Sequence, residues 1–321
     1  MHLHSGGIIA NYRCNAACGH CMYGSSPTAE AGYITAETAK RICETLLRHG
    51  CQSVHIGGGE PFLHPDKLAM LVRVITQSGL TLDYIETNAG WINHDTARNK
   101  QILLQVLDAG ADCIMVSADP FHIGFIPFYK PLALLALLRD MNASYFVWQQ
   151  RYMSALSSLD PERTYTPDEL KTALGYDIER ECAAEYGMGF NGRALNLLRR
   201  FGKKKPLQAL LTSEPCRALS DTGHFHADYL GRFIPPRCTG LGIDMETLGQ
   251  PVTAETHPVI ARLQTEGLQG LYALASSHGF IAGDGYYSHC DLCFAMRKHL
   301  ALQTDSVFPD LTPRGFYLQD Y

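Results

Sequence analysis

The first two-thirds of the chain alternates short β-branched runs with segments whose apolar residues recur at helical spacing. Gly7 to Tyr12 reads as a strand, and Ala36 to Arg48 as a helix with Thr35 placed to cap it and Gly50 to end it. Ser53 to Ile56 is a second strand. The helix that follows from about Pro65 places Leu68, Leu71, Val72 and Ile75 at i, i+3, i+4 and i+7. Leu82 to Thr87 forms a third strand, and a helix after Asn93 carries Ile102, Leu103, Val106 and Leu107. Cys113 to Ser117 is a fourth strand, Leu132 to Arg139 a buried helix and Tyr145 to Trp148 a fifth strand. Thr166-Pro167-Asp168-Glu169 is a capping box with proline at the first helical position, Gly187 to Phe190 reads as a sixth strand, and a helix starts at Ala194. Strands and helices in strict alternation imply an α/β fold around a parallel sheet, with ligands at the carboxyl ends of the strands.

The pattern changes after the basic run Arg199 to Pro206, which reads as a solvated linker. Beyond it, His224 to Tyr229 and Arg232 to Ile234, joined through Leu230-Gly231, look like a hairpin. Short helical stretches follow near Pro258 to Leu263 and Gly270 to Ala275, and then a cysteine pair. The expected organisation is a core domain over residues 1–202 and a small α+β domain over 203–321.

Charge and hydropathy narrow the partners. A net charge of -5 gives no basic excess for a phosphate backbone, so no nucleic-acid partner is expected. The greasiest stretch, Leu132 to Leu138, is bounded by Pro131 and Arg139 and is too short to span a bilayer. Met1 to Gly7 is polar and Ile8 to Ala10 too short for a secretory leader, so the expectation is a cytoplasmic protein with no membrane partner.

Eleven cysteines are many for such a chain, and an odd number. Disulfide scaffolds are short and secreted, so thiolates used as metal ligands explain the excess better. Seven fall into groups: Cys14/Cys18/Cys21, Cys216/Cys238 and Cys290/Cys293. Cys43, Cys51, Cys113 and Cys182 stand singly among apolar neighbours and read mostly as small buried hydrophobes.

Cys14, Cys18 and Cys21 form C-x3-C-x2-C on a loop after the first strand. Such spacing lets thiolates converge on an iron–sulfur centre, and three ligands leave one iron open to a small molecule. Zinc is the alternative, with His20 as a fourth ligand. Gly57-Gly58-Gly59-Glu60-Pro61 follows the second strand directly, where glycines let the backbone approach a ligand and Pro61 stops the strand. It is not a dinucleotide fingerprint, because Phe62 stands where a third glycine would be needed.

Together, Asn11-Tyr12-Arg13-Cys14-Asn15-Ala16-Ala17-Cys18-Gly19-His20-Cys21 and Gly57-Gly58-Gly59-Glu60-Pro61 resemble the cluster loop and glycine-rich motif of the radical S-adenosylmethionine (SAM) superfamily, over roughly residues 7 to 200. The resemblance implies a partial (β/α)6 barrel holding a [4Fe-4S] cluster with an open iron, which SAM chelates. Reductive cleavage of SAM would release a 5′-deoxyadenosyl radical that abstracts a substrate hydrogen. It also implies that Gly58, Gly59 and Glu60 contact the methionyl amino group, that Thr87, Asn88 and Ser117 line the SAM pocket, and that Arg193 of Gly192-Arg193-Ala194 lies near SAM. Asp119 and His122 follow the fourth strand, where proton transfer, substrate contact and simple loop capping are all open readings.

Cys216, Cys238, Cys290 and Cys293 resemble the auxiliary-cluster domains, SPASM or the shorter twitch type, appended to many such enzymes. The resemblance implies a second, fully ligated [4Fe-4S] cluster; a structural zinc on the same four thiolates is the alternative. Modification of a peptide or protein is the function this implies, with an electron donor such as flavodoxin or ferredoxin as partner. Cys182 or Cys113 would serve as hydrogen donor were the outcome an epimerisation. A small-molecule radical SAM oxidoreductase or ligase is the second reading, and a non-catalytic two-cluster electron carrier the third.

Overall fold

The computed structural model describes residues 1–185, 190–212, 214–303 and 308–319. The first five expected strands and the helices between them form, in the order β1 (Ser5–Ile9, ending before Tyr12), α1 (Ala36–Arg48), β2 (Ser53–Gly57), α2 (Pro65–Ser78), β3 (Thr81–Thr87), α3 (Thr96–Leu107), β4 (Cys113–Ser117), α4 (Tyr129–Asp140) and β5 (Ser144–Trp148). These strands pair in parallel with their sequence neighbours, giving the spatial order β5-β4-β3-β2-β1. This one-way winding of β–α units is the α/β architecture that the alternation implies.

Local chemistry sets the helix ends. Thr35 Oγ1 accepts from Thr38 N at 3.1 Å, and Gly50 leaves α1 with φ of +83°, as αL caps require. The inner faces of α1 and α2 (Ile42, Leu46, Leu68, Leu71, Val72, Ile75) pack on Ile8, Val54, Ile56 and Ile85 of the sheet, all fully buried. Burying each such side chain contributes roughly 1.5–3 kcal/mol. Cys43 and Cys51 belong to this core as small apolar residues.

Short helices follow: α5 (Met153–Leu156), α6 (Pro167–Leu174), α7 (Ile178–Glu185), α8 (Ala194–Phe201) and α9 (Leu207–Leu210). Both hydrogen bonds of the capping box are formed at α6, from Glu169 N to Thr166 Oγ1 and from Thr166 N to Glu169 Oε2. The sixth strand expected at Gly187 to Phe190 falls on residues 186–189, outside the described residues, and Phe190 lies in no strand.

The hairpin forms as β6 (His224–Asp228) and β7 (Arg232–Ile234), followed by β8 (Ile243–Asp244), but it does not stand apart. β6 pairs in parallel with β1, so one eight-stranded sheet runs β5-β4-β3-β2-β1-β6-β7-β8 across residue 202. The free edge of β1 supplies the reason, since an uncovered strand edge recruits a partner from elsewhere in the chain. The helices α10 (Pro258–Thr265), α11 (Gly267–Ser277), α12 (His289–Leu302) and α13 (Arg314–Tyr317) complete the carboxy-terminal half.

The basic run is only partly a linker. Arg199 and Arg200 lie in α8, paired with Asp291 at 2.9 Å and Glu179 at 3.0 Å respectively. Among the described residues, no helix is long and apolar enough to cross a membrane.

Candidate functional site

A cavity of about 550 Å³ opens at the sheet, on the face that carries the cysteine loop. It brings together Cys14, Cys18, Cys21, Gly58, Gly59, Thr87, Asn88, Ser117 and Arg193, which the sequence placed in different βα connections. Its volume is that of an ordinary small-molecule site.

The cysteine loop is held from both sides. At its base, Gly59 N donates to Asn11 O at 2.9 Å and Glu60 N to Arg13 O at 3.0 Å, while Asn11 Nδ2 donates back to Glu60 O at 3.2 Å. The two strand ends approach so closely that a Cβ on Gly59 would lie 2.0 Å from Arg13 O, and one on Gly58, at φ of +139°, 2.6 Å from Asn11 O. Only glycine fits either position. On the far side, Arg193 donates from Nε to Cys18 O at 3.1 Å, from Nη1 to Gly24 O at 2.8 Å and from Nη2 to Ser25 O. Arg193 thus lines the cavity and also clamps the loop that bears the thiols.

The thiols are approached by donors. Ala16 N and Asn88 Nδ2 each lie 3.4 Å from Cys14 Sγ, and the His122 ring hydrogen-bonds Cys18. Burial, then the Glu60 charge and the other two cysteines, push the Cys14 thiol pKa upward. Metal coordination relieves that penalty by dispersing the thiolate charge, and three sulfurs with N–H donors suit an iron–sulfur cluster.

Glu60 does not line the cavity. Its fully buried carboxylate accepts from Phe62 N at 3.0 Å, Thr87 Oγ1 at 2.9 Å and Asn88 N at 2.8 Å. Burial pushes its pKa up to about 7 against those three donors. The group therefore fixes the loop after β3, and through it the Asn88 amide beside Cys14.

Beside the cluster loop, His122 Nδ1 pairs with Asp119 Oδ1 at 2.9 Å, and Asp119 also accepts from Phe121 N at 3.0 Å. Burial would raise the Asp119 carboxyl, but the His122 and His20 charges outweigh it and hold it below the usual range. Burial brings His20 down to about 4, and its ring packs on Phe121 with centroids 4.8 Å apart. Cys113 and Cys182 are not among the residues that line the cavity; Cys182 is fully buried in the apolar cluster that also includes Cys14 and Cys18.

Several lining residues carry no motif: Tyr23, His55, Tyr84, Glu86, His224 and His226. His224-Phe225-His226 shows the one sequence signal available, because alternation along a strand sends both imidazoles to one face.

The carboxy-terminal cysteines gather elsewhere. Cys216 precedes a 3₁₀ turn, Cys238 follows β7, and Cys290 and Cys293 open α12. Hydrogen bonding between the two sulfurs lowers the Cys216 thiol pKa and raises that of Cys238, so they lie in direct contact. Arg297, 3 % exposed, lies against this group. Its Nη1 donates to Thr239 O at 3.0 Å and Tyr317 OH at 2.9 Å. Among the described residues no carboxylate stands within ion-pair distance of it.

Residues 8–122 match the family model described as the Radical SAM superfamily. Over 114 residues the chain is 31% identical to molybdenum cofactor biosynthesis protein 1 of Bos taurus, covering 35% of this chain and 17% of that protein. Over 55 residues it is 40% identical to the antilisterial bacteriocin subtilosin biosynthesis protein AlbA of Bacillus subtilis (strain 168), covering 17% of this chain and 12% of that protein. The chain thus spans less than a fifth of the length of these curated relatives. A solved structure, native anSMEcpe with bound AdoMet, aligns at 17% identity and a TM-score of 0.44, covering 77% of this chain and 79% of that one.

Proposed function

We propose that this chain, which carries a radical SAM domain over residues 8–122, is an enzyme that abstracts a hydrogen atom from a peptide or protein substrate. The observation that carries the reading is the convergence of Cys14, Cys18 and Cys21 with the Gly58–Gly59 turn on one cavity. Cys14, Cys18 and Cys21 would hold a [4Fe-4S] cluster, and Gly58, Gly59, Thr87, Asn88 and Ser117 would border SAM. When bound, these groups supply reductive cleavage of SAM and a 5′-deoxyadenosyl radical.

The protein's own part is positioning. Arg193 and the Asn11–Glu60 contacts fix the loop, and Asn88 directs an amide N–H at Cys14. Glu60 sets the rotamer of Thr87 and the backbone of Asn88. An electron donor such as flavodoxin or ferredoxin would serve as reductase.

A peptide or protein substrate is the first reading. The relative named for biosynthesis of an antilisterial bacteriocin agrees with that reading. A small-molecule oxidoreductase or ligase is the second reading, consistent with the molybdenum-cofactor relative.

Cys216, Cys238, Cys290 and Cys293 would hold a second metal centre in a SPASM- or twitch-like carboxy-terminal half. Buried Arg297 supports this, since Cys293 and Cys238 are among the groups that favour its charge. A [4Fe-4S] cluster is favoured over zinc because such a centre adds electron transfer to the cavity's radical chemistry.

Reduction of the cluster-reconstituted protein with SAM under strict anaerobiosis tests the reading. The expected product is 5′-deoxyadenosine, absent from Cys14→Ser, Cys18→Ser and Cys21→Ser. A wild-type protein that forms none overturns it.

A further inference from the structure

We propose that His55, His224 and His226 bind one divalent transition-metal ion of zinc-like character on the wall of the cavity shared with the cysteine loop. This goes beyond the radical reading and does not depend on it.

The site is built by the sheet. β1 lies between β2 and β6, and Gly7 is the register partner of both His55 and His226. His224, two residues earlier on β6, points to the same face. A Cβ on Gly7 would lie 2.3 Å from His55 Nε2 and 2.7 Å from His226 Cδ2, so the imidazoles occupy the space that glycine vacates. A glycine inside a strand weakens it, and here the missing side chain admits two rings from the flanking strands.

One ring nitrogen from each histidine lies within 4.8 Å of the others. The His55 and His224 rings are near parallel with centroids 5.3 Å apart, and His226 stands across both at 82° and 86°. Tyr84 stacks on His55 at 4.9 Å and Tyr23 meets His226 edge-on at 5.5 Å, fixing the outer rings. Glu86 Oε1 lies 3.5 Å from His55 Nε2 and also lines the cavity. The His55 ring is also hydrogen-bonded by the backbone of Gly6, the kind of contact that orients a ligating imidazole.

The donor set selects the ion. Imidazole nitrogens favour zinc, ferrous iron and their neighbours over magnesium or calcium, and no thiol is among the three donors. Burial lowers the pKa of all three histidines and keeps them in the neutral, ligating form. Three protein ligands leave a position open, as catalytic zinc sites do, and here it faces the cavity. The ion would anchor an oxygen or nitrogen donor of the substrate there. His224 is exposed and gives the ion its entry path.

The test uses the full chain, reconstituted with iron and sulfide, then equilibrated with zinc and desalted. Metal analysis and zinc-edge X-ray absorption should find one zinc with nitrogen or oxygen ligands at about 2.0–2.1 Å. His226→Gln and Gly7→Ala should lose that zinc while keeping wild-type iron, and Cys216→Ser should retain it. His224→Gln, on the exposed rim, keeps the test valid if either buried variant fails to fold. Zinc bound only to sulfur at about 2.3 Å, or undiminished in His224→Gln and His226→Gln, overturns the site. Formation of 5′-deoxyadenosine is scored separately, so failure of the radical reading is distinguishable from failure of the metal site.

Discussion

Arg199 in α8 grips Asp291 in the first turn of α12 with two N–H groups, Nε at 3.2 Å and Nη2 at 2.9 Å. Asp291 stands between Cys290 and Cys293, and its other oxygen accepts from Tyr287 N at 3.0 Å. The amino-terminal half thereby positions the turn that bears two thiols of the carboxy-terminal set.

Removing the arginine leaves a carboxylate that is only 3 % exposed without its cation. Arg199→Ala should cost about 2 kcal/mol of stability, read by urea unfolding, since breaking a buried pair strands the remaining charge. Arg199→Lys should recover only part, because lysine cannot reproduce the two-pronged contact. Wild-type stability in Arg199→Ala would show that the contact between the halves carries no energy.

Gly59 tests how the cysteine loop is set. With a Cβ only 2.0 Å from Arg13 O, Gly59→Ala must move the strand end or the loop. Anaerobic reconstitution should then yield less iron and little 5′-deoxyadenosine, while metal bound at the carboxy-terminal thiols stays at the wild-type level. Equal iron in variant and wild type would mean that the loop adapts.

The contrast between these two contacts shows what was legible in the sequence. The glycine turn could be read because its motif is local and follows a strand directly. The Thr35 cap and the Thr166 capping box were legible for the same reason. The pairing of β6 with β1 was not, since hydrophobic alternation marks a strand without naming its neighbour. Arg199 and Arg200 read as a solvated linker because a charge run is silent about partners that lie far along the chain. His55 could not be joined to His224 and His226 without that β6–β1 pairing. Glu60 carried a motif position, yet its three hydrogen bonds turn it into the structure behind the cavity.

Glu60 also gives a pH signature. Burial raises its pKa to about 7 from 4.5, so the folded state holds the proton more tightly than the unfolded chain. Its stability contribution is complete below pH 4.5 and is lost as pH rises through about 7. The shift corresponds to about 3 kcal/mol across that window. Glu86, raised to about 7 by burial and by the Glu60 charge, adds in the same direction. Between those pH values the unfolding free energy of wild type should therefore fall by about 3 kcal/mol more than that of Glu60→Gln, since Asp228, Asp310 and the buried histidines titrate in both. An identical slope in wild type and variant would remove Glu60 as its source.

Arg297 yields opposite effects with and without metal. Its guanidinium is buried, and burial works against its charge, but Tyr317, Cys293 and Cys238 outweigh that cost. With metal bound, four thiolates give the set a net negative charge that the guanidinium neutralises. Once a chelator strips the metal and the thiols regain protons, the buried cation loses the thiolate charges and keeps the weaker pull of Asp310, which stands beyond ion-pair distance. Arg297→Met should weaken metal retention at these cysteines at least tenfold, or about 1.4 kcal/mol. The stripped variant should nevertheless be more stable than stripped wild type, because the uncompensated charge is gone. Packing alone does not predict that inversion. Thr239 O keeps its bond from Asn191 Nδ2 at 2.9 Å, and Tyr317 OH keeps its bond to Gly240 O at 2.6 Å, so methionine orphans neither. Chelator titration of metal content and urea unfolding of both stripped proteins check the two halves. If Arg297→Met is less stable in both states, the arginine is a packing residue and the thiolate charge argument fails.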